Sequence, residues 1–194
     1  MIYEGIINRR TIRKFRQQDV SREILRKCVD AARLSPSGSN AQPLKYVIVD
    51  EENLLPRVFS TLKWAASIPG YKHAADEVPA AYIVMLLDTK IRELPGNDAG
   101  IAAMSISMVA YEEGVASCML GSVDRPNLKQ VLKIPDHLQV LLVVALGYPA
   151  ETSIAVELKG EDTRYWLDDK GILNVPKRKL EDIAVWNMSE YYYP

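Results

Sequence analysis

Two apolar runs constrain the fold of this chain more strongly than any other feature. Residues 80–87 and 141–146 are its longest uninterrupted apolar stretches, and both are far too short to cross a bilayer. The second run, extended to residues 138–146, predicts the central strand of a sheet. Because 48% of the residues are hydrophobic, the chain can bury the core that such a strand requires.

Caps and apolar periodicity predict the helices. Ser21 is placed to cap a helix that ends near residue 34, and Asp98 is placed to cap a longer one. Asp124 precedes a further helix with a proline in its first turn. Residues 58–66 also have a helical pattern.

Short strands are predicted between these helices. Residues 46–49 alternate poorly and are therefore predicted to be buried on both faces, and residues 115–120 form a further strand. No repeat, low-complexity tract or linker divides the chain. We therefore predict a single domain over residues 1–194, an α+β (α/β-like) fold with a mixed sheet and helices on both faces.

Positive charge is concentrated near the N-terminus, although the chain has 24 Lys and Arg against 25 Asp and Glu. Residues 9–14 contain three arginines, a lysine and a threonine hydroxyl. The arginine fork suits phosphate oxygens, so this segment indicates an anion site. The alternatives are a solvated basic turn or a nucleic-acid arm, but the near-zero net charge argues against a general nucleic-acid binder.

A second signal is the loop of residues 35–43, which is rich in Ser, Pro, Gly and Asn. Its short side chains leave backbone N–H groups free to face a ligand. By itself this loop is best explained as a connector between a helix and a strand. It is longer than the usual connector of about four to six residues, and together with the basic segment it indicates a cofactor site.

Four segments, in this order, resemble the nitroreductase family of FMN enzymes. Residues 9–15 match the pattern Arg-Arg-Ser-x-Arg-x-Phe, and residues 36–44 match a Pro-Ser-rich loop that ends Asn-x-Gln-Pro-aromatic. The other two are residues 114–121 and 176–179. Two departures are Thr11 in the place of Ser, which is chemically mild, and Leu44 in the place of the usual Trp, which affects a packing contact.

The resemblance implies a nitroreductase-like fold with a mainly antiparallel sheet, assembled as a homodimer. FMN would lie in clefts between the subunits, and an exchanged C-terminal arm of about residues 175–194 would embrace the partner. The arm contains Trp186 and three consecutive tyrosines, Tyr191, Tyr192 and Tyr193. The alternative is that these aromatic residues cover their own domain.

The resemblance also assigns residues to the cofactor. Arg13 would neutralise the negative charge that grows at flavin N1–C2=O when a hydride arrives at N5, and Leu120 and Gly121 would lie near N5. Ser37 and its neighbours would reach the flavin from the partner subunit. The complete set of expected FMN contacts is Arg9, Arg10, Thr11, Arg13, Pro36, Ser37, Gly38, Asn40, Leu120, Gly121, Lys177 and Arg178.

Other chemistry has little support in the sequence. His73 and His137 lie near no residues at ligand spacing, so we predict no metal site. No side chain stands out as a general acid or base, and no separate nicotinamide-nucleotide fingerprint is present. Trp64 and Tyr71 lie in the stretch that forms the lid in the family. They are candidates to stack on substrate, although core or surface aromatics are the simpler explanation.

The favoured function is therefore an FMN-dependent oxidoreductase that uses NAD(P)H to reduce nitroaromatics, quinones or related acceptors by a ping-pong mechanism. One alternative keeps the fold but changes the reaction to reductive dehalogenation or flavin degradation. The other is a non-catalytic flavin- or nucleic-acid-binding module. The N-terminus lacks signal-peptide features, and Cys28 and Cys118 are predicted to be buried thiols. We therefore predict a cytoplasmic protein without membrane contacts.

Overall fold

The computed structural model describes residues 2–186, so the predictions for Tyr191, Tyr192 and Tyr193 lie outside the described residues. Helices and strands alternate along the first two thirds of the chain, and a second group of strands follows. The elements are α1 (Ile2–Asn8), α2 (Arg22–Leu34), β1 (Leu44–Val49), α3 (Leu55–Phe59), β2 (Ala81–Asp88), α4 (Asp98–Glu112), β3 (Ala116–Leu120), α5 (Arg125–Leu132), β4 (Leu138–Gly147), β5 (Ser153–Glu157), β6 (Trp166–Leu167) and β7 (Leu173–Lys177), with short 3-10 turns at Gly38–Asn40 and Leu180–Asp182.

The two apolar runs form the interior strands of the main sheet. This sheet has four strands in the order β1-β2-β4-β3, and all neighbours are antiparallel. A smaller sheet with the order β5-β7-β6 contains one parallel and one antiparallel pair. The predicted α+β fold with a mixed, mainly antiparallel sheet is therefore confirmed.

Each face of the main sheet buries its own core. Along β2, Tyr82 and Val84 pack with residues of α3 and α5, while Ile83 and Met85 point to the opposite face and pack with α2 and α4. This is the alternation that a strand buried on both sides must have. Helices on both faces were predicted and are confirmed.

Both cysteines are free and buried, one in each core. Burial raises the pKa of the Cys28 thiol to about 12 and that of Cys118 to about 11. Thiols with such a raised pKa stay protonated and behave as small apolar side chains, as predicted. Among residues 2–186, no helix has both the length and the apolar character needed to span a membrane.

The caps of two helices agree with the sequence. Ser21 Oγ accepts a hydrogen bond from Ile24 N at 3.3 Å, and Asp124 Oδ1 accepts one from Asn127 N at 3.2 Å. The third predicted cap is wrong. Asp98 is the first residue of α4, after Asn97, and its carboxylate binds a neighbouring loop instead of its own helix.

Two further predictions are wrong. The helix predicted over residues 58–66 is α3, which ends at Phe59, because the chain then turns to pair Leu62 with Val123 and Ala65 adopts a positive φ of 44°. Strand β1 is not buried on both faces. It is the edge strand of the sheet, where Ile48 is 37% exposed.

The N-terminal segment crosses the sheet at the ends of β3 and β4. Thr11 forms a bridge with Ser117, and Phe15 forms one with Pro149. The Phe15 side chain is completely buried against Gly147, the last residue of β4. A Cβ on Gly147 would lie 2.9 Å from both Cβ and Cδ1 of Phe15, so only glycine fits at this crossing.

We therefore expect Gly147→Ala to lower the free energy of unfolding by about 1–3 kcal/mol, because the buried Phe15 cannot move away without disturbing the core. The matched control is Gly100→Ala, where an added Cβ meets nothing within 4 Å and the residue lies in α4. This control should be neutral or stabilising by up to about 1 kcal/mol. Denaturant unfolding of both variants checks the prediction, and equal effects would contradict it.

Candidate functional site

The basic segment of residues 9–14 is anchored through its backbone. Ile12 N donates to Ser117 O at 3.1 Å, which fixes the segment beside β3. The Glu151 Oε1 atom accepts hydrogen bonds from both Arg13 N and Lys14 N, the second at 3.3 Å. These anchoring bonds use backbone donors of the segment and none of its arginine side chains.

The two arginines at the start of the segment differ. Arg10 turns back on α1, where its guanidinium donates to Asn8 O at 3.4 Å and to Ile7 O. Arg9 has a buried Nε with no hydrogen-bond partner among the described residues. Burial lowers the pKa of the Arg9 guanidinium, and the charge of Arg10 lowers it further. A buried, unpaired donor on a cation is costly, so an anion placed here would be stabilised.

Arg13 is contacted by three parts of the chain. Its N–H donates to Glu151, its carbonyl oxygen lies 2.8 Å from His73 Nε2, and its guanidinium carbon lies 4.5 Å from the centre of the Tyr165 ring. The last contact is a cation–π interaction. Arg13 therefore has a defined backbone and a defined side-chain position.

An aromatic cluster formed by Phe59, Trp64, Tyr71 and His73 lies on the other side of Arg13. The His73 ring is at its centre, with edge-to-face contacts to Phe59, Trp64 and Tyr71 at 5.1, 4.6 and 5.1 Å. Phe59 also stacks on Trp64 at 5.6 Å. Trp64 and Tyr71, which were candidates to stack on substrate, thus belong to one packed group, and Trp64 also packs against the core, in line with the simpler explanation.

Two donors of this aromatic cluster are buried without partners among the described residues, Trp64 Nε1 and the Tyr71 hydroxyl. Burial raises the pKa of Tyr71, and the carboxylate of Glu151 raises it further. The hydroxyl is therefore protonated at neutral pH and can donate a hydrogen bond. Buried donors usually have a partner, so two in one group indicate a surface built to meet a polar ligand.

The loop of residues 35–43 is fixed to α4. The buried Asp98 carboxylate accepts hydrogen bonds from Ser37 Oγ at 2.6 Å and Gly38 N at 3.0 Å, and these bonds hold the pKa of Asp98 below its usual value. Arg92 donates to Gly38 O at 3.3 Å. Ser37 therefore has a structural contact in addition to any ligand contact.

The same loop has three positive φ angles at residues other than glycine: 54° at Ser39, 53° at Asn40 and 53° at Gln42. Such angles are uncommon outside glycine and tend to occur at ligand-binding sites. Pro36 lies beside Ser37 in a narrow groove with Leu44, Tyr46 and Asp98.

The remaining predicted residues lie at strand ends. Leu120 is the last residue of β3, and the Gly121 carbonyl accepts a hydrogen bond from Arg125 at 3.2 Å. Lys177 is the last residue of β7, and Arg178 follows it; both are exposed.

The predicted site residues therefore fall into separate groups. The basic segment, the aromatic cluster and β3 are in contact. Within residues 2–186, no hydrogen bond or ion pair connects the loop of residues 35–43, or Lys177 and Arg178, to the basic segment. The loop leads into β1 and the basic segment lies beside β3, so these two groups are at opposite edges of the main sheet.

Several residues of this region could not be identified from the sequence. Glu151 binds a segment 138 residues away, and Tyr165 lies in an irregular stretch with no motif. His73 was set aside because it lies far from metal ligands in sequence. The anchoring role of Asp98 had only an indirect signal, an acidic residue at a helix start.

Comparisons with known proteins agree on one family. A family model described as "Nitroreductase family" matches residues 6–148. A protein of Methanothermobacter thermautotrophicus, provisionally named NADH dehydrogenase/NAD(P)H nitroreductase, is 28% identical over 157 residues, which cover 77% of this chain and 78% of that protein. An iodotyrosine deiodinase of Thermotoga neapolitana is 23% identical over 165 residues, covering 77% and 89%.

A solved structure of a similarly named protein shares the fold of this chain. The solved structure of an FMN-dependent nitroreductase from Clostridium difficile R20291 superimposes with a TM-score of 0.67 at 23% identity, and the match covers 86% of this chain and 98% of that one. The family model matches residues 6–148, which is well over half of the sequence. The chain therefore belongs to the nitroreductase family.

Proposed function

We propose that this chain is an FMN-dependent oxidoreductase that uses NAD(P)H to reduce nitroaromatics, quinones or related acceptors. Residues 1–194 would form one FMN-binding domain that acts in the cytoplasm. The observation that supports this most is the basic segment, which is anchored by its backbone and holds a buried Arg9 Nε without a partner. The names of the Clostridium difficile and Methanothermobacter proteins supply the cofactor and the electron donor for the proposal.

The residues present fit FMN. Its phosphate would satisfy the half-buried Arg9 guanidinium, with Arg10, Thr11, Lys177 and Arg178 as further donors. Pro36, Ser37, Gly38 and Asn40 would contact the flavin from the partner's loop, where the backbone adopts positive φ angles at Ser39 and Asn40. Leu120 and Gly121 would contribute backbone contacts near N5. We propose that neither a metal ion nor a nucleic acid is a partner of this protein.

When bound, FMN supplies hydride transfer, and the protein tunes that chemistry. Arg13 would keep a positive charge beside the pyrimidine edge, where negative charge appears on reduction. Tyr71, whose pKa is raised mainly by burial, would offer a neutral hydroxyl donor to the acceptor. Trp64 would form the apolar wall of the same pocket.

The proposed role of the Arg13 cation can be tested with arginine variants. We expect Arg13→Met to lower the flavin midpoint potential with little loss of FMN affinity, because its cation acts mainly on the reduced ring. Arg9→Met and Arg178→Met should instead weaken FMN binding about ten- to a hundredfold without moving the potential, because the phosphate charge is the same in both redox states. FMN titration and spectroelectrochemistry measure these quantities. Equal potentials in Arg13→Met and the unmodified protein would remove Arg13 from this role.

A shared pocket for donor and acceptor leads to a kinetic test. The sequence contains no separate nicotinamide-nucleotide fingerprint, so both substrates would use one pocket in turn. Double-reciprocal plots of NAD(P)H oxidation at several quinone concentrations should therefore be parallel. Intersecting lines would indicate a ternary complex and contradict the proposal.

A homodimer would bring the separated groups together. Helix α1 has no buried residue, although it contains Ile2, Tyr3, Ile6 and Ile7, and it packs on α4 through Gly5 and Met108. An apolar helix lying on the surface indicates a contact with another subunit. The exchanged arm of about residues 175–194 would add to that interface; Trp186 within it is 95% exposed.

We expect Ile6→Glu to weaken self-association by at least about tenfold, since it removes one apolar side chain per subunit from the proposed interface and places a charge there, and to reduce FMN retention in parallel. The control is Ile91→Glu, because Ile6 is 47% and Ile91 is 46% exposed. Light scattering and flavin content measure both properties. A monomeric Ile6→Glu variant that retains FMN fully would contradict an intersubunit site, and deletion of residues 179–194 should give the same paired loss.

A second candidate function keeps the cofactor and changes the acceptor. The Thermotoga neapolitana relative is named an iodotyrosine deiodinase, so reductive dehalogenation is a specific alternative, as is degradation of the flavin itself. Anaerobic assays with iodotyrosine and with a nitroaromatic compound distinguish dehalogenation from nitroreduction. Loss of the flavin under air would indicate flavin degradation. Bound FMN without any NAD(P)H oxidation would indicate a non-catalytic module.

A further inference from the structure

The His73 side chain forms a hydrogen bond with the backbone carbonyl of Arg13. His73 is one of two histidines in the chain, and its Nε2 lies 2.8 Å from the Arg13 carbonyl oxygen. Among the described residues this is the only hydrogen bond made by the His73 side chain. The rest of the ring is surrounded by Phe59, Trp64 and Tyr71.

The Arg13 carbonyl and the Lys14 N–H belong to the same peptide unit. The carbonyl accepts from His73, while the Lys14 N–H donates to Glu151 Oε1 at 3.3 Å. Because a peptide unit is planar and rigid, bonds on its two edges fix its rotation. The N–H of Arg13 also donates to Glu151. These three bonds fix the backbone on both sides of the Arg13 Cα and therefore the direction of its side chain.

His73 is itself held in place. Ala74 N donates to Glu77 Oε2 at 3.0 Å, and Glu77 forms an ion pair with Lys14 at 2.9 Å. The stretch that contains His73 therefore contacts the basic segment twice, through the His73–Arg13 hydrogen bond and through the Glu77–Lys14 ion pair. Burial lowers the pKa of His73, so the ring is neutral at physiological pH. A neutral imidazole donates to the carbonyl without adding a third positive charge beside those of Arg13 and Lys14.

We propose that His73 is a positioning residue for Arg13. Its Nε2–H holds the Arg13–Lys14 peptide, so the aromatic cluster sets the direction in which the Arg13 cation is presented to the pyrimidine edge of the flavin. This inference rests on the proposed function. It predicts an effect of His73 on the redox potential of FMN, which a residue that only packs between aromatic rings would not have.

Three substitutions separate the hydrogen bond from packing. His73→Phe keeps an aromatic ring and loses the donor, whereas His73→Gln keeps a donor at the equivalent position and loses the ring. The control is His137→Phe, at the other histidine. If His73→Phe does not fold, His73→Leu replaces it, since Leu and Gln both lack the ring and differ in the donor.

The first measurement needs no cofactor. In apoprotein, amide hydrogen exchange at Arg13 and Lys14 should be about three- to tenfold faster in His73→Phe, the effect expected for losing one hydrogen bond. Exchange should be close to normal in His73→Gln and unchanged in His137→Phe. Unchanged exchange in His73→Phe would overturn the proposal, whether or not the protein binds FMN.

The second measurement uses protein loaded with FMN. His73→Phe should lower the flavin midpoint potential by less than Arg13→Met does, with FMN affinity within about threefold of normal, and His73→Gln should restore the potential. In the double variant Arg13→Met/His73→Phe, the potential should equal that of Arg13→Met alone. A normal potential in His73→Phe, or additive shifts in the double variant, would overturn the proposal. If the unmodified protein takes up no FMN, the proposed function fails, while the exchange data still test the contact.

Discussion

The Glu151 carboxylate against the backbone of Arg13 and Lys14 is the interaction on which the candidate site depends. One oxygen accepts two N–H groups of the basic segment, and the negative charge offsets the cations around it. Hydrogen bonds to a charged acceptor are about twice as strong as neutral ones. The segment is therefore held without using its arginine side chains, which is a requirement for a site that must bind an anion.

Around this anchor, the sheet determines which groups can meet. Strand β3 receives the basic segment at Ser117, and the turn after β3 pairs with the stretch that follows α3. This pairing brings Trp64, Tyr71 and His73 back towards Arg13. The helix that the sequence predicted over residues 58–66 is interrupted for the same reason, because a continued helix could not make the Leu62 to Val123 bridge.

The loop of residues 35–43 is held by a different contact. The sequence assigned the Asp98 carboxylate to a helix cap. In the structure this carboxylate accepts hydrogen bonds from Ser37 and Gly38, so it anchors the loop to the start of α4 instead of capping the helix. The loop leads into β1, at the edge of the main sheet opposite to β3 and the basic segment. This separation, together with the exposed apolar side chains of α1, supports the proposal that a second subunit completes the flavin site.

The sequence by itself indicated the family, the α+β class and the central strand β4, because these depend on local composition and on contiguous motifs. The apolar run within residues 138–146 indicates β4, and three arginines within five residues predict an anion site. The edge position of β1 and the roles of Glu151, His73, Tyr165 and Asp98 were decided only by the tertiary structure. Their partners lie far away in sequence, up to 138 residues for Arg13 and Glu151, and a hydrogen bond between distant residues leaves no periodicity or spacing that could reveal it.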